Sequence, residues 1–345
     1  MAAARYRFSF GPWNIHEGAD PFGPPVRPSV EFGRKLKMYK KLGFDGVQFH
    51  DDDAVADIES KSPAQIRSEA KAMKKLLDGE GLVGEFVAPR LWENPQGAHG
   101  GFTSNHAPLR KWAIERGKRC FDVCDALGTD LSVFWLAREG TYIREAKNAI
   151  DAHKHLIDAL NELLAYNKKV RIAIEPKPNE PMDHMYIPSI GHALAIGQAT
   201  DHPDRMGGLI ETAHSLLAGF DPSDDMAFAL SLDKLWSVHL NDQNGLKYDQ
   251  DKSFATANLR AAYNQVRVLE LGGYAKTGRF VGLDVKAMRT QPSDVAHKHL
   301  VNSREIFLAL VEKVRTFDRK AAAECVKNDD YEELEILTMR HLMGL

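Results

Sequence analysis

The chain has 345 residues, of which 43% are hydrophobic and 27% charged, an ordinary composition for a globular enzyme. Its net charge of −3 provides no basic field to attract nucleic acid or anionic lipid. No apolar run reaches the roughly 18–20 residues that a membrane-spanning helix needs. The first residues, MAAARYRFSFGPW, contain no apolar signal core, so we expect a cytoplasmic protein that binds neither nucleic acid nor membrane.

Short apolar runs alternate with amphipathic segments along almost the whole chain. Eight runs have the composition of buried strands: Arg7–Trp13, Asp45–His50, Leu82–Val87, Leu131–Trp135, Val170–Ile174, Met206–Ile210, Leu235–Leu240 and Arg279–Leu283. Helical patterns occupy Val30–Leu42, Pro63–Gly79, Pro108–Leu127, Tyr142–Tyr166, Pro188–Thr200, Pro222–Leu232, Asn258–Leu271 and Ser293–Thr316. This alternation predicts parallel strands joined by helices.

Eight strand–helix repeats favour a closed (β/α)₈ TIM barrel, which we assign to residues 1–316. A doubly wound open sheet is the alternative, but no Gly-rich G-x-G-x-x-G turn follows the first strand. Residues 317–345 predict a short helical C-terminal extension, with a helical pattern over Tyr331–Met343. We expect this extension to pack on the barrel or on another subunit.

Acidic and imidazole side chains stand at the ends of four consecutive predicted strands. Glu175 and Glu211 follow the fifth and sixth, His239 lies in the seventh, and Asp284 follows the eighth. The carboxyl ends of barrel strands form the active-site mouth, so these residues should line one arc of it. Three carboxylates without basic partners would repel one another, and a divalent cation removes the repulsion. Carboxylates with imidazole suit Mg²⁺, Mn²⁺ or Co²⁺.

A second acidic pair, Asp249 and Asp251, follows the seventh strand. Its i, i+2 spacing lets both side chains reach one ion from an extended loop. Together with Glu211 and His214 the pair could hold a second metal, with Glu211 shared between the two. A solvated turn is the alternative for such a pair considered alone.

The fifth strand opens into a loop with three prolines, EPKPNEP, in which an extended backbone directs Glu175 and Lys177 to the same side. A solvated Glu/Lys loop is the alternative. Trp13 and Trp135 end strands one and four, and Trp92 follows strand three. Each tryptophan alone could be core filler, but three around one mouth indicate apolar walls suited to a sugar.

These motifs resemble the xylose isomerase family, particularly its shorter class, over about Phe8 to Thr290. The resemblance rests on FHDDD at Phe49–Asp53, GGFTSN at Gly100–Asn105, IEPKPNEP at Ile174–Pro181, E-x-x-H at Glu211–His214, QNGLKYDQD at Gln243–Asp251 and D-x-K-x-x-R-T at Asp284–Thr290. It implies a metal-dependent aldose–ketose isomerase with two divalent ions per subunit. The implied reaction converts D-xylose to D-xylulose by a 1,2-hydride shift after ring opening.

The resemblance also implies a role for each matching residue. The implied structural metal site is Glu175, Glu211, His239 and Asp284, and the implied catalytic metal site is Glu211, His214, Asp249 and Asp251. The implied catalytic groups are His50, oriented by Asp53 for ring opening, and Lys177, bonded to the carbonyl oxygen at C1. The implied substrate contacts are Trp13, Trp92 in place of the usual phenylalanine, Trp135, and Phe22 from a neighbouring subunit. The last contact implies an oligomer.

Three departures from the family pattern affect these expectations. His239 stands where the family has aspartate, which favours softer ions such as Mn²⁺ or Co²⁺. A histidine there also resembles rhamnose isomerases and ketose 3-epimerases, so the substrate is open. The hydroxyl-bearing pocket residues are missing around Val87–Arg90, which indicates altered sugar specificity. The tail after Phe317 is shorter than the family's C-terminal arm, so a homodimer competes with a homotetramer.

Four functions therefore compete. A D-xylose isomerase is the first expectation, and an isomerase or ketose 3-epimerase of another sugar, acting through enediol proton transfer, is the second. A metal-dependent phosphodiesterase on the same barrel is a remote third, because the net charge is negative and no basic groove is evident. A sugar-binding barrel without catalysis is a fourth, and the intact His50, Lys177 and ligand sets argue against it.

Overall fold

The structure, a computed structural model, describes residues 5–20 and 22–345. Eight parallel strands close into a barrel in sequential order. The strands are β1 (Arg7–Phe10), β2 (Gly46–His50), β3 (Val83–Ala88), β4 (Leu131–Trp135), β5 (Arg171–Glu175), β6 (Met206–Glu211), β7 (Leu235–Leu240) and β8 (Phe280–Leu283). The predicted (β/α)₈ TIM barrel is confirmed.

Eight helices surround the barrel, one after each strand. They are α1 (Phe32–Lys41), α2 (Pro63–Glu80), α3 (Ala107–Leu127), α4 (Ala149–Tyr166), α5 (Ile190–Gln198), α6 (Pro222–Ser231), α7 (Leu259–Leu271) and α8 (Lys298–Thr316). Two further helices, α9 (Arg319–Lys327) and α10 (Tyr331–Met343), follow as the predicted C-terminal extension. Within residues 5–20 and 22–345, no helix combines the length and the apolar character needed to cross a membrane.

Several predicted boundaries differ from the structure, and two of these differences have an evident physical cause. The first strand ends at Phe10 rather than Trp13, because Gly11 leads into a 3₁₀ turn that begins at Pro12, which has no N–H for a strand ladder. The helix predicted from Tyr142 begins at Ala149. The preceding Gly140–Thr141 instead pairs antiparallel with His184–Met185, a contact between distant segments that local periodicity does not reveal.

Alternation along the strands directs polar side chains into the barrel. Ala173 and Glu175 share a face of β5, as Leu209 and Glu211 do on β6, because residues two apart in a strand point the same way. The strand register then pairs Glu211 with His239 across β6 and β7. The main apolar core instead occupies the layer between strands and helices.

A buried polar network fills the barrel below the mouth. The Glu85 carboxylate accepts hydrogen bonds from Ser237 Oγ at 2.6 Å, from Gln48 Nε2 at 3.1 Å and from the Ser9 hydroxyl. Burial raises the pKa of Glu85, and the three donors oppose that shift. Gly282 is required beside this network, since a Cβ there would lie 2.3 Å from Gln48 Nε2.

His299 on α8 yields a test of stability against pH. Its Nε2 lies 2.8 Å from the Asn14 carbonyl oxygen, and burial lowers the pKa of His299 to about 4. An unfolded histidine titrates near 6.5, so the unfolded chain binds the proton first as the pH falls. The stabilisation is therefore present above pH 6.5 and is lost towards pH 4.

We expect wild type to lose about 3 kcal/mol more unfolding free energy than His299→Gln between those two pH values. Urea denaturation at pH 7, 5.5 and 4 measures the difference. His202→Gln, which changes an exposed histidine, is the matched control and should follow wild type. Parallel curves for wild type and His299→Gln would contradict the prediction.

Candidate active site

The predicted arc of four residues converges at the carboxyl ends of β5 to β8. His239 Nδ1 lies 3.2 Å from Glu175 Oε1, and 3.8 Å from both Glu211 Oε2 and Asp284 Oδ2. The residues Glu175, Glu211 and His239 are buried, while Asp284 is half-buried. The structure therefore brings all four predicted residues together.

A second group shares Glu211 with the arc. His214 lies on the short helix Thr212–Leu217 that starts directly after β6. Its Nε2 is 3.3 Å from Glu211 Oε1 and 3.1 Å from Asp249 Oδ2. Oxygens of Glu211, Asp249 and Asp251 also lie within 4.8 Å of one another. Glu211 is thus common to every group of potential ligands found in the described chain.

The loop after β7 turns Asp249 and Asp251 inward. Backbone hydrogen bonds between Asp242 and Lys252 join the two ends of the loop. Gln243 Nε2 donates to the carbonyls of residues 245 and 248, at 2.9 and 3.1 Å. These side-chain to backbone bonds hold the QNGLKYDQD segment in one conformation and account for its polar composition.

Two lysines pair with the aspartates that lie outside the arc of Glu175, Glu211, His239 and Asp284. Lys177 Nζ donates to Asp249 Oδ2 at 2.8 Å and lies 3.1 Å from Glu180 Oε2. Lys286 Nζ pairs with Asp251. Lys286 was not predicted from the sequence. The available signal was its position two residues after Asp284, since an extended segment places both side chains on one side.

Burial and mutual attraction shift the pKa values of the cluster in opposite directions. Burial opposes charge on His239, but Glu175 and Glu211 outweigh it and raise the pKa of His239 well above its usual range. Burial likewise disfavours the Glu175 carboxylate, yet His239 and His214 lower its pKa to about 2. Burial together with Asp249 raises the pKa of Asp251 to about 8. Protons on the imidazoles thus provide positive charge among the carboxylates.

The donor set fits a divalent metal ion. Two ligand atoms that face the cluster, His214 Nδ1 and Asp249 Oδ1, are buried and have no hydrogen-bond partner within residues 5–20 and 22–345. Buried polar atoms almost always have a partner, so these two atoms are expected to bind a further group such as a metal ion. Carboxylate oxygens with two imidazoles are the ligands that Mg²⁺, Mn²⁺ and Co²⁺ accept.

Gln48 orients the His239 ring. His239 Nε2 lies 3.1 Å from Gln48 Oε1, which can only accept, so Nε2 donates and Nδ1 faces the carboxylates. Such a second hydrogen bond fixes the orientation of metal-binding histidines. The sequence reasoning missed Gln48, although its position two residues before His50 on β2 places both on the inner face.

An aromatic wall joins His50 to Lys177. The Trp13 and Trp92 rings lie 4.4 and 5.1 Å from the His50 ring. The Trp92 ring lies 4.6 Å from the Trp135 ring, and Lys177 Nζ lies 5.3 Å from the Trp135 ring. The three predicted tryptophans are therefore neighbours at one side of the mouth.

His50 has two partners rather than the single one expected. Its Nδ1 lies 3.2 Å from Asp53 Oδ2 and 2.8 Å from Arg90 Nη2. Asp53 Oδ2 also accepts the backbone N–H of His50 at 2.9 Å. The sequence reasoning noted only the loss of hydroxyl groups near Arg90 and did not foresee this contact.

The GGFTSN motif and Phe22 lie outside the cluster. The Glu139 carboxylate accepts the backbone N–H groups of Gly101, Phe102 and Thr103 at 2.8–2.9 Å, which fixes the loop that carries the motif. Phe22 is 84% exposed and meets the Tyr248 ring edge-on at 6.3 Å. Its contact with a neighbouring subunit stays a prediction.

The family and the similar solved structures agree with this fold. The profile of the xylose isomerase-like TIM barrel family matches residues 36–260, more than half of the chain, so the protein belongs to that family.

Among solved structures, a D-tagatose 3-epimerase-like protein has a TM-score of 0.63 and 13% identity, over 90% of this chain and 98% of that one. An L-ribulose 3-epimerase has 0.63 and 15%, over 92% and 97%. A xylose isomerase domain protein from Alicyclobacillus acidocaldarius subsp. acidocaldarius has 0.60 and 16%, over 89% and 100%. At these identities the similarity establishes a shared fold.

Metal binding can be tested through stability. An ion bound only by the folded chain should raise the unfolding free energy by about 2.7 kcal/mol at a hundredfold excess over Kd. Glu211→Gln should abolish that gain, because it removes the carboxylate common to all ligand groups. Thermal unfolding of chelator-treated protein, with and without added Mn²⁺, Co²⁺ or Mg²⁺, measures the effect.

The matched control is Glu305→Gln, which changes an exposed glutamate on α8. It should respond to each ion as wild type does. Equal stabilisation of wild type and Glu211→Gln would place the ion elsewhere.

Proposed function

We propose that the protein is a metal-dependent monosaccharide isomerase or epimerase that transfers a proton through an enediol, as in a ketose 3-epimerase. The observation that carries this proposal is the arc itself, in which His239 converges with Glu175, Glu211 and Asp284 at the ends of four adjacent strands. The similarity to solved structures described as sugar 3-epimerases supports the proposal at the level of the fold.

The arc would hold one divalent ion, and Glu211, His214, Asp249 and Asp251 would hold a second. Mg²⁺, Mn²⁺ and Co²⁺ are the candidates. Such an ion, when bound, polarises the carbonyl of an open-chain sugar and acidifies the adjacent C–H. The protein groups then have to place the sugar and move its proton.

The carboxylates at the two ends of the arc suit proton transfer. Glu175 belongs to β5 and Asp284 follows β8, so the two would approach a sugar lying over the arc from different sides. Epimerisation removes a proton from one face of a carbon and returns one to the other face, which needs a group on each side. Glu175 is ionised at neutral pH, since its pKa is lowered to about 2 by His239 and His214 against the opposing effect of burial.

Lys177 supplies a positive charge to the developing oxyanion. Burial opposes its charge, but Asp249 and Glu180 outweigh burial and raise the pKa of Lys177, so the ammonium persists. The wall of Trp13, Trp92 and Trp135 offers apolar faces to the sugar's carbon chain and excludes water.

The test is solvent isotope incorporation. Ketoses and aldoses are incubated in D₂O with each metal, and the products are analysed by NMR. Deuterium at C3 of a ketose product supports epimerisation, and deuterium at C2 of an aldose product supports isomerisation through an enediol. Lack of turnover across the whole panel, with metal binding intact, would overturn the proposal.

D-Xylose isomerisation by a 1,2-hydride shift is the second candidate. It is supported by Lys177, which Asp249 holds at the mouth through a 2.8 Å hydrogen bond, because the xylose isomerase resemblance implies that this lysine bonds the carbonyl oxygen at C1. In that route the migrating hydrogen comes from the substrate, so xylulose would form in D₂O without solvent deuterium. The same experiment thus separates the two candidates.

Replacing Lys177 should mainly slow the chemical step. We expect Lys177→Gln to reduce kcat by about 10²–10³-fold, the usual effect of removing one oxyanion donor. Metal affinity, measured calorimetrically, should change far less, because the ligand groups remain. Lys168→Gln, an exposed lysine near the end of α4, is the control and should match wild type. Unchanged kcat in Lys177→Gln would remove this role.

We also propose a homodimer or homotetramer in which Phe22 reaches the mouth of a neighbouring subunit, supported by its 84% exposure.

We further propose that the chain divides into a barrel, residues 1–316, and an extension, residues 317–345. The extension packs against α8, where Lys313 Nζ donates to the His341 carbonyl at 2.6 Å.

A further inference from the structure

Arg90 lies beside His50 in a partly buried, fully paired position. Its side chain is 19% exposed, and its Nη2 is 2.8 Å from His50 Nδ1 and 3.0 Å from Asp53 Oδ1. Its Nε donates to Asp52 Oδ1 at 2.8 Å. The guanidinium is therefore held by carboxylates on the short helix after β2, with one N–H group directed at the imidazole.

His50 Nδ1 cannot satisfy both of its neighbours. A guanidinium only donates hydrogen bonds and a carboxylate only accepts them. If Nδ1 carries a proton, it can donate to Asp53 but its proton faces the N–H of Arg90. If Nδ1 carries a lone pair, it accepts from Arg90 and the ring proton resides on Nε2. The two tautomers are thus alternatives.

Two observations favour the tautomer with a free lone pair on Nδ1. The contact with Arg90 is shorter, 2.8 Å against 3.2 Å for the contact with Asp53. Both oxygens of Asp53 have a donor other than the imidazole, because Oδ1 accepts from Arg90 and Oδ2 accepts the His50 backbone N–H.

We propose that Arg90 is a positioning residue that fixes His50 with its proton on Nε2 and so selects open-chain sugars. With Nε2 protonated, His50 has no lone pair there to take the anomeric hydroxyl proton. Proton loss from a neutral imidazole would leave an imidazolate beside Asp53, which is unfavourable. His50 is then a hydrogen-bond donor to a sugar oxygen and does not catalyse ring opening.

The consequence for substrate class rests on the proposed function, whereas the tautomer itself does not. A cyclic aldose needs its ring opened before the carbonyl can react. Short ketoses such as 2-ketopentoses carry a much larger open-chain fraction than cyclic aldoses do. They have no C6 hydroxyl and so cannot close a six-membered ring. The structure therefore points to an open-chain ketose as the preferred substrate.

Nitrogen NMR of ¹⁵N-histidine-labelled protein tests the tautomer directly. Signals of His50 are assigned by their loss in His50→Gln. In wild type we expect an unprotonated Nδ1 and a protonated Nε2, and in Arg90→Gln we expect the reverse, with Nδ1–H donating to Asp53. A protonated Nδ1 in wild type would overturn the proposal whether or not any sugar is turned over.

Two further variants keep the test decisive. Asp53→Asn retains Arg90, so His50 should keep the wild-type tautomer; a change there would assign control to Asp53 instead. Arg34→Gln alters an exposed arginine on α1 and should leave the His50 signals unchanged. These measurements decide the role of Arg90 even if Arg90→Gln folds poorly.

Activity measurements provide a second test of the role of Arg90. General acid–base catalysis contributes about 10²–10⁴-fold, so restoring the His50–Asp53 pair in Arg90→Gln should raise the kcat/KM ratio of cyclic aldose to open-chain ketose by at least about tenfold. An unchanged ratio with a reversed tautomer would overturn the substrate selection. If wild type turned over no sugar at all, that result would count against the proposed function, and the NMR result on the tautomer would still hold.

Discussion

Buried carboxylates repel one another, and the arrangement of this barrel mouth depends on how that repulsion is neutralised. Like charges a few ångströms apart cost several kcal/mol away from bulk water. Two imidazoles and two ammonium groups supply the opposing positive charge. The ammonium groups of Lys177 and Lys286 neutralise the aspartates outside the arc. His239 and His214 stand among the remaining carboxylates. A divalent ion would take over the role of the imidazole protons, so metal binding and proton release are coupled.

An imidazole in the arc imposes conditions deeper in the barrel. Its far nitrogen has to be satisfied, and Gln48 does so while Glu85 in turn holds the Gln48 amide. A partly satisfied buried network would be destabilising, so the members act as a set. Gly282 leaves the room that the set occupies. His239 is therefore linked to residues on three other strands.

The barrel and the arc could be predicted from the sequence because both depend on local information. Strand runs, helical periods and residues at strand ends are properties of short segments. The partners Gln48, Lys286 and Arg90 depend on how separate strands and loops approach one another, and one sequence does not contain that distance information. The late start of α4 has the same origin, since a pairing with His184–Met185 occupies the preceding residues. The residues of the arc could thus be predicted from their positions at strand ends, whereas their hydrogen-bond partners could not.

The two halves of the chain carry different parts of the site. Every arc residue lies between Arg171 and Asp284, whereas His50, Arg90 and the three tryptophans of the aromatic wall precede Arg171. The halves meet where Trp13 Nε1 donates to Asp284 Oδ1 at 2.8 Å. Under the proposed function, mutations in the first half would alter which sugar is accepted while the half that carries the arc keeps its sequence. New substrate preferences could then evolve without a change in the arc.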